Sequence, residues 1–365
     1  MRGADLDRRL RAHLKAIAET PAPPFEEGRR SALVAEAWRR AGLEPAIDDL
    51  GNVVADLPGG VGPRVLLAAH LDSVFPEGTD VRVREVADDR WCGPGIGDDA
   101  AGLTLLTVLA EEVVAGRLER RPRLVLAATV GEEGLGDLRG ARRVVADHAG
   151  AIDAFVAVDG HLGQVVDAGV GSRRIEARFR AQGGHAWGDH GAPSAVHALG
   201  DAIHALTRVP VPREPRSSLN VGLASGGSSV NAIAEEARLT VDVRSIAPAT
   251  LEGLATETRR RMRGVARRHG VELELLDVGD RPAGRTADAA FVGAARAALA
   301  RVGLVAAVAA SSTDANAAVA AGVPAIGFGV ATGGDAHRMG EWLDPRSLIV
   351  GYTALEHLLG ELARG

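Results

Sequence analysis

Thiols are nearly missing from this chain. Cys92 is the one cysteine in 365 residues, which excludes an internal disulfide framework and suits a reducing compartment, so a cytoplasmic protein is expected. Aromatic side chains are scarce too, at 3% against an apolar fraction of 46%, so alanine, valine, leucine and glycine must do most of the packing. No apolar run approaches the roughly 20 uninterrupted residues that a membrane-spanning helix needs. Residues 1–20 alternate charged and apolar side chains at helical spacing, so neither a signal peptide nor a membrane anchor is expected there. Concentrated positive charge is also absent. The net charge is −6 and the basic residues are scattered, which argues against nucleic acid as a partner and leaves small molecules or peptides.

What is present is enough chain for more than one core, so one large domain with a smaller companion is the natural expectation. Two amphipathic helices, over 6–17 and 26–41, flank the cluster Pro21, Pro23 and Pro24. Short apolar runs at 65–69, 124–130 and 155–158 read as buried strands, with a helical pattern at 103–114 between them. Strands alternating with helices imply an α/β sheet covered on both faces. From about Gly171 the character changes: 172–181, 237–244 and 271–276 alternate polar and apolar residues, and helical stretches follow Pro193 and Leu251. After Arg281 the α/β pattern returns, with a helix near 289–301, apolar runs at 304–309 and 324–330, and a closing helix from about Pro345. The expected layout is therefore a discontinuous α/β domain over 1–170 and 282–365, interrupted by an inserted α+β module over 171–281.

Polar residues follow directly on the buried runs, and in open α/β sheets ligands bind beyond the carboxyl ends of strands. His70 and Asp72 end the first run; residues i and i+2 of a strand point the same way, so the carboxylate could orient the imidazole, or the two could form a purely structural pair. Next comes a glycine-rich loop, Gly93-Pro94-Gly95-Ile96-Gly97-Asp98-Asp99, running into a helix. A phosphate cradle is its obvious rival reading. However, Asp98 stands where a dinucleotide fingerprint would need its third glycine, no Walker lysine follows, and paired carboxylates repel phosphate while attracting a cation. A plain helix cap by either aspartate is the bland alternative. Glu132 and Glu133 end another run, and neighbouring acids facing a cleft need a cation or a shared proton. Asp159 closes a fourth run, and His337 lies in a glycine-rich segment near the end. Hard oxygen donors with imidazole and no thiolate suit zinc, with manganese or cobalt as substitutes.

These motifs, in this order and over nearly the whole chain, resemble the M20 family of metallopeptidases, with its peptidase T, carboxypeptidase G2 and acetylornithine deacetylase branches. The resemblance implies a zinc-peptidase-like catalytic domain with a mixed central sheet flanked by helices, and a ferredoxin-like lid that also mediates homodimer formation. It implies two zinc ions per subunit: Asp98 bridging, His70 and Asp159 on one ion, Glu133 and His337 on the other, with a cis peptide between Asp98 and Asp99. A water bridging the two ions, deprotonated near neutral pH, is then the nucleophile, and Glu132 is the general base that passes its proton to the leaving nitrogen. Asp72 orients the site.

Within the inserted module, His185 resembles the histidine that reaches the partner subunit's active site and polarises the substrate carbonyl. Asn231 resembles a substrate-contacting asparagine, and Arg244 is a candidate for holding a substrate carboxylate, though it could simply pair with Asp242. Thr313 and Asp314 resemble a cleft loop of the peptidase T-like branch, though an N-capped helix fits them equally. Two departures bear on substrate preference: Ala100 stands where the family commonly has lysine, and Ala234 where the asparagine segment usually ends in proline. The leading expectation is a dinuclear zinc di- or tripeptidase, aminopeptidase-like; the alternative is an N-acyl amino acid deacylase using the same machinery. A nucleotide-binding module or a catalytically dead scaffold would be rivals of other classes, separable by turnover that zinc restores after chelation.

Overall fold

A computed structural model of the chain describes residues 2–118 and 121–364. Two compact units are present, Met1–Gly169 with Arg285–Gly365, and Val170–Gly284.

The larger unit is built on a mixed sheet. The strand Arg64–His70 runs parallel to Arg123–Thr129 on one side and Ala154–Ala157 on the other, and Ala325–Phe328 continues the parallel set. Antiparallel neighbours flank it: Val53–Asp56 beside Arg123–Thr129, and Gln164–Gly169 beside Ala325–Phe328. Alternation along each strand explains why both faces are covered. Val65, Leu67 and Ala69 enter one core with Leu124, Leu126 and Ala128, while Leu66 and Ala68 enter a second with Val125 and Ala127. The first core is closed by the helices Arg2–Ala18, Gly28–Ala41, Ala100–Val114, Ala289–Arg301 and Ser347–Leu362, through residues such as Leu10, Trp38, Leu105, Phe291 and Leu355. The second is closed by Arg139–Asp147 and Ala315–Ala320, through Val144 and Ala318. This is the α/β architecture expected from the sequence. The parallel strands all end at one rim, where His70, Glu132, Glu133 and Asp159 follow.

A second, four-stranded sheet was not expected from the residue pattern. It orders Thr332–Gly334, Trp342–Asp344, Arg90–Cys92 and Arg84–Ala87. Trp342 pairs with Cys92, so the glycine-rich loop after Cys92 and the His337 loop before Trp342 leave the same pair of strands. Asp98 and His337 are brought together by that pairing, although 239 residues separate them.

The smaller unit has an antiparallel sheet ordered Ser217–Gly226, Glu236–Ser245, Gly171–Arg180 and Glu272–Arg281. Ile175, Phe179, Leu239 and Val243 face the helices Ala195–Leu206 and Pro248–His269, forming a core of its own. Among the described residues no helix is long and apolar enough to cross a membrane.

Candidate metal centre

Asp98 is the hub. Its Oδ1 lies 2.8 Å from His70 Nε2 and its Oδ2 lies 3.0 Å from His337 Nε2. Glu133 Oε1 stands 2.9 Å from the same His337 nitrogen. Ligand atoms of Asp98, Glu133 and His337 fall within 4.8 Å of one another, as do those of His70, Asp99 and Asp159, and those of His70, Glu132 and Glu133. The residues singled out from the sequence as metal ligands thus converge on one rim, with Glu132 beside them.

The backbone holds these groups in place. His70 Nδ1 donates to the main-chain carbonyl of Asp72 at 3.0 Å, which fixes the ring's tautomer and turns the Nε2 lone pair towards Asp98. The Asp72 carboxylate is 3.7 Å from that nitrogen, beyond hydrogen-bond range. It binds the main chain instead, with Oδ1 accepting from Glu132 N at 2.9 Å and Oδ2 from Glu133 N at 2.8 Å. Asp72 therefore clamps the turn that carries both glutamates. Asp99 caps the helix Ala100–Val114 by accepting from Gly102 N at 2.9 Å, and also accepts from His70 N at 3.1 Å. Asp98 bonds the two imidazoles, while Asp99 caps the helix and keeps a carboxylate oxygen near His70 and Asp159. The peptide between Asp98 and Asp99 is cis.

Electrostatics describe a cluster short of positive charge. Burial, reinforced by the charge on Asp98, pushes the Asp159 carboxyl up to about 7. Burial opposes ionisation of Asp98 as well, but the His337 and His70 rings outweigh it and hold its carboxyl below the usual range. Hydrogen bonds to Asp98 and Glu133 push His337 up to about 10. Five acids and two imidazoles crowding one rim, with hard oxygen and imidazole nitrogen donors and no thiolate, fit a pair of divalent cations. Cys92 is buried in the small sheet and takes no part in these donor groups.

Supporting groups that residue patterns did not single out surround this cluster. Glu341 accepts from Gly95 N at 3.0 Å, Gly97 N at 2.8 Å and Asp98 N at 3.1 Å, pinning the glycine-rich loop. Its partners are backbone groups, so residue spacing carries no signal for it. Arg30 is fully buried and donates to the carbonyls of Leu71 and Thr20, bracing the chain between His70 and Asp72. A signal existed there, since Arg30 lies on the stripe shared by Val34 and Trp38, where an arginine has no reason to stand unless its charge is used. Thr313 and Asp314, which were named from the sequence as a candidate cleft loop, are buried, each 4% exposed; the Thr129 hydroxyl donates to Asp314, so this loop supports the end of the strand Arg123–Thr129 from within.

In the smaller unit, His185 and Asn231 come from paired segments, with Gly184 opposite Ile233 and His185 opposite Ala232. His185 Nδ1 accepts from Trp187 N and Gly188 N at 3.2 Å each, so the ring's remaining nitrogen, Nε2, carries the hydrogen and is a donor. Asn231 is exposed and its side-chain oxygen accepts from Ser229 at 2.6 Å. Arg244 Nε pairs with Asp242 Oδ2 at 2.7 Å, the structural role anticipated as its alternative.

The model of peptidase family M20/M25/M40 matches residues 66–361. YqjE, an uncharacterized protein of Bacillus subtilis (strain 168), is 25% identical over 242 residues, which span 62% of this chain and 62% of that protein. A tripeptidase from Staphylococcus aureus subsp. aureus Mu50 has a fold similar to this chain, with a TM-score of 0.85 at 20% identity, covering 98% of this chain and 99% of that one. The aminopeptidase PepT from Bacillus cereus ATCC 10987 is similar at a TM-score of 0.81 and 20% identity, over 98% and 99% of the two chains.

Proposed function

The chain belongs to peptidase family M20/M25/M40 and is a metal-dependent hydrolase; from that premise we propose that it is a dinuclear zinc peptidase cleaving an amide bond of small peptides. The observation that carries the reading is Asp98 lying 2.8 Å from His70 and 3.0 Å from His337, one carboxylate shared by two imidazoles. His70, Asp98 and Asp159 would hold one ion, and Asp98, Glu133 and His337 the other. When bound, such a pair supplies Lewis-acid polarisation of the scissile carbonyl and activation of a water at neutral pH.

The chain's own residues do the rest. Glu132 takes the proton of the attacking water as its oxygen bonds to the carbonyl carbon, then delivers that proton to the leaving nitrogen as the C–N bond breaks. Asp72 fixes the direction of the Glu132 and Glu133 peptides through its two backbone hydrogen bonds. His185, a hydrogen-bond donor through Nε2, suits a group that polarises the substrate carbonyl, and Asn231 on the paired segment suits a substrate contact. The small unit, whose long edge strand Ser217–Gly226 is largely exposed, is our candidate for a homodimer interface. The reading leans towards small peptides rather than N-acyl amino acids as substrates because a tripeptidase and an aminopeptidase share the fold.

The test is to strip the protein with a chelator, reload it with zinc and assay free amine released from dipeptides, tripeptides and N-acyl amino acids. Turnover of tripeptides or dipeptides is expected to return with zinc. Exclusive turnover of N-acyl amino acids would replace the peptidase reading by the deacylase one, and a sedimentation profile of a monomer at micromolar concentration would remove the dimer.

A further inference from the structure

The sheet of the smaller unit ends in two edge strands, Ser217–Gly226 and Glu272–Arg281. The second pairs only with Gly171–Arg180, so along its outer edge the main chain has no strand partner among the described residues. Beside that edge runs a groove of about 450 Å³. Val271, Leu273 and Leu275 line it from the strand, and Arg263, Ala266 and Arg267 from the helix Pro248–His269. No acid is among its lining residues.

Arg263 and Arg267 stand one helical turn apart, both exposed, and neither has an acidic partner among the described residues, whereas Arg259, a turn earlier, is paired with Asp277. A cation in the last turn answers the helix dipole, which accounts for Arg267 but not for Arg263. Unpaired main-chain groups, an apolar floor and two guanidiniums are the parts of a strand-addition site: the edge binds, the floor takes side chains, and the charges select the sign of the guest. The two faces give the guest its pattern. Leu273 and Leu275 pack on the helix side, while Glu272 and Glu274 are exposed on the other. A strand laid alongside therefore needs apolar and acidic residues at one set of alternate positions, and lysine or threonine at the other. A second copy is a poor guest here, because two-fold pairing would bring two arginine-lined grooves to one seam with no acid in either. Nucleic acid would use the charge alone, since no aromatic side chain lines the groove to stack a base.

We propose that this edge docks an extended acidic segment of a partner protein, added as a further strand beside Glu272–Arg281, with its carboxylates on Arg263 and Arg267 and its apolar side chains on Leu273 and Leu275. Every residue of the site belongs to the smaller unit, so the assignment stands or falls apart from the peptidase reading.

The probe is a fluorescent peptide, Thr-Leu-Lys-Glu-Thr-Leu-Lys-Glu-Thr, acetylated and amidated at its ends, titrated with the full chain and followed by anisotropy. Its control has the same composition with lysine and glutamate exchanged, which turns lysine towards the arginines. Saturable binding of the probe, at least about 10-fold tighter than the control, is expected. Hydrogen exchange of amides in Glu272–Arg281 should slow on binding, which a loose ion pair on the helix would not produce. Arg263→Glu with Arg267→Glu reverses two exposed charges, should leave the melting temperature unchanged, and should weaken binding by about 10-fold or more. No saturation at millimolar peptide overturns the proposal, as does equal binding of probe and control. Undiminished affinity in the double variant overturns it too, by placing the peptide elsewhere on the chain. A single-stranded oligonucleotide that displaces the probe at lower concentration than the unlabelled peptide would replace it with a nucleic-acid surface. Loss of a sedimenting dimer in the double variant would assign the edge to a second copy instead.

Discussion

Asp72 accepts one backbone hydrogen bond on each carboxylate oxygen, and both donors belong to the glutamates that face the donor cluster. Asp72→Asn would set an amide NH₂ against a peptide N–H in a buried place, costing about 1–3 kcal/mol and releasing one of the two peptides. The expected result is zinc affinity reduced about 10- to 100-fold, read by titrating zinc into chelator-stripped protein; unchanged affinity would show that the clamp is dispensable. Glu132→Gln removes the proton acceptor while keeping size and shape. It should retain two zinc ions per subunit by elemental analysis and lose about 10²- to 10⁴-fold in kcat, and a fully active variant would refute the role of Glu132 as base. At this scale the candidate donors could be picked out, because His70, Asp98, Glu133, Asp159 and His337 each follow a strand or loop with its own pattern, and the fold gathers their ligand atoms into neighbouring groups. Their supports were legible only in part: Glu341 and the Asp72 carboxylate bind main-chain N–H groups, and a main chain has no letter in the sequence.

Among elements, the helix Ala100–Val114 is placed by a glycine. A Cβ on Gly102 would lie 2.0 Å from the Val158 carbonyl oxygen and 2.4 Å from Asp99 Oδ1, both fixed atoms. Gly102→Ala must push the helix start away from the sheet and break the Asp99 cap, at an expected loss of about 1–3 kcal/mol in denaturant unfolding. Gly253 supplies the contrast, since nothing lies within 4 Å of its added Cβ inside the helix Pro248–His269. Gly253→Ala should raise stability by about 0.5–1 kcal/mol. Opposite signs for the two substitutions would separate close approach from intrinsic helix preference; a shared sign would contradict the packing argument. Buried strands and amphipathic helices could be read from periodicity, and the helix expected near 289–301 is found at Ala289–Arg301. The small sheet was not readable. Its strands are 3 residues long, as in Arg90–Cys92 and Trp342–Asp344, or 4, as in Arg84–Ala87, too short to carry a period. Nor was the edge strand Ser217–Gly226 evident, since Gly222, Ser225 and Gly226 interrupt its alternation.

For the whole molecule, the donor cluster links metal, protons and stability. In chelated protein Asp159 titrates at about 7, above its ordinary 3.8, so the folded chain binds more protons than the unfolded one between those values. Stability from this group is therefore present at low pH and lost as pH rises towards 7. His337, raised from 6.5 to about 10, acts with the same sign over the next interval. Chelated protein should consequently melt at progressively lower temperature between pH 5 and 9. The increase in melting temperature on adding zinc should grow over the same range, because metal and protons compete for the same atoms. Thermal melts with and without zinc at each pH measure both slopes, and a zinc shift independent of pH would contradict the competition. The α/β class of the larger unit was legible from strands alternating with helices, whereas the joining of Asp98 to His337 across 239 residues is tertiary and has no local trace.

One rung of the smaller unit's ladder bears on how such molecules diversify. Ser172 sits directly opposite Arg281, so the chain enters and leaves that unit a single inter-strand spacing apart, roughly 5 Å. Two neighbouring splices are enough to lift the whole segment out, as a cartridge is drawn from its socket. A different insert could therefore be joined at the same two neighbouring points while the core of the larger unit stays whole.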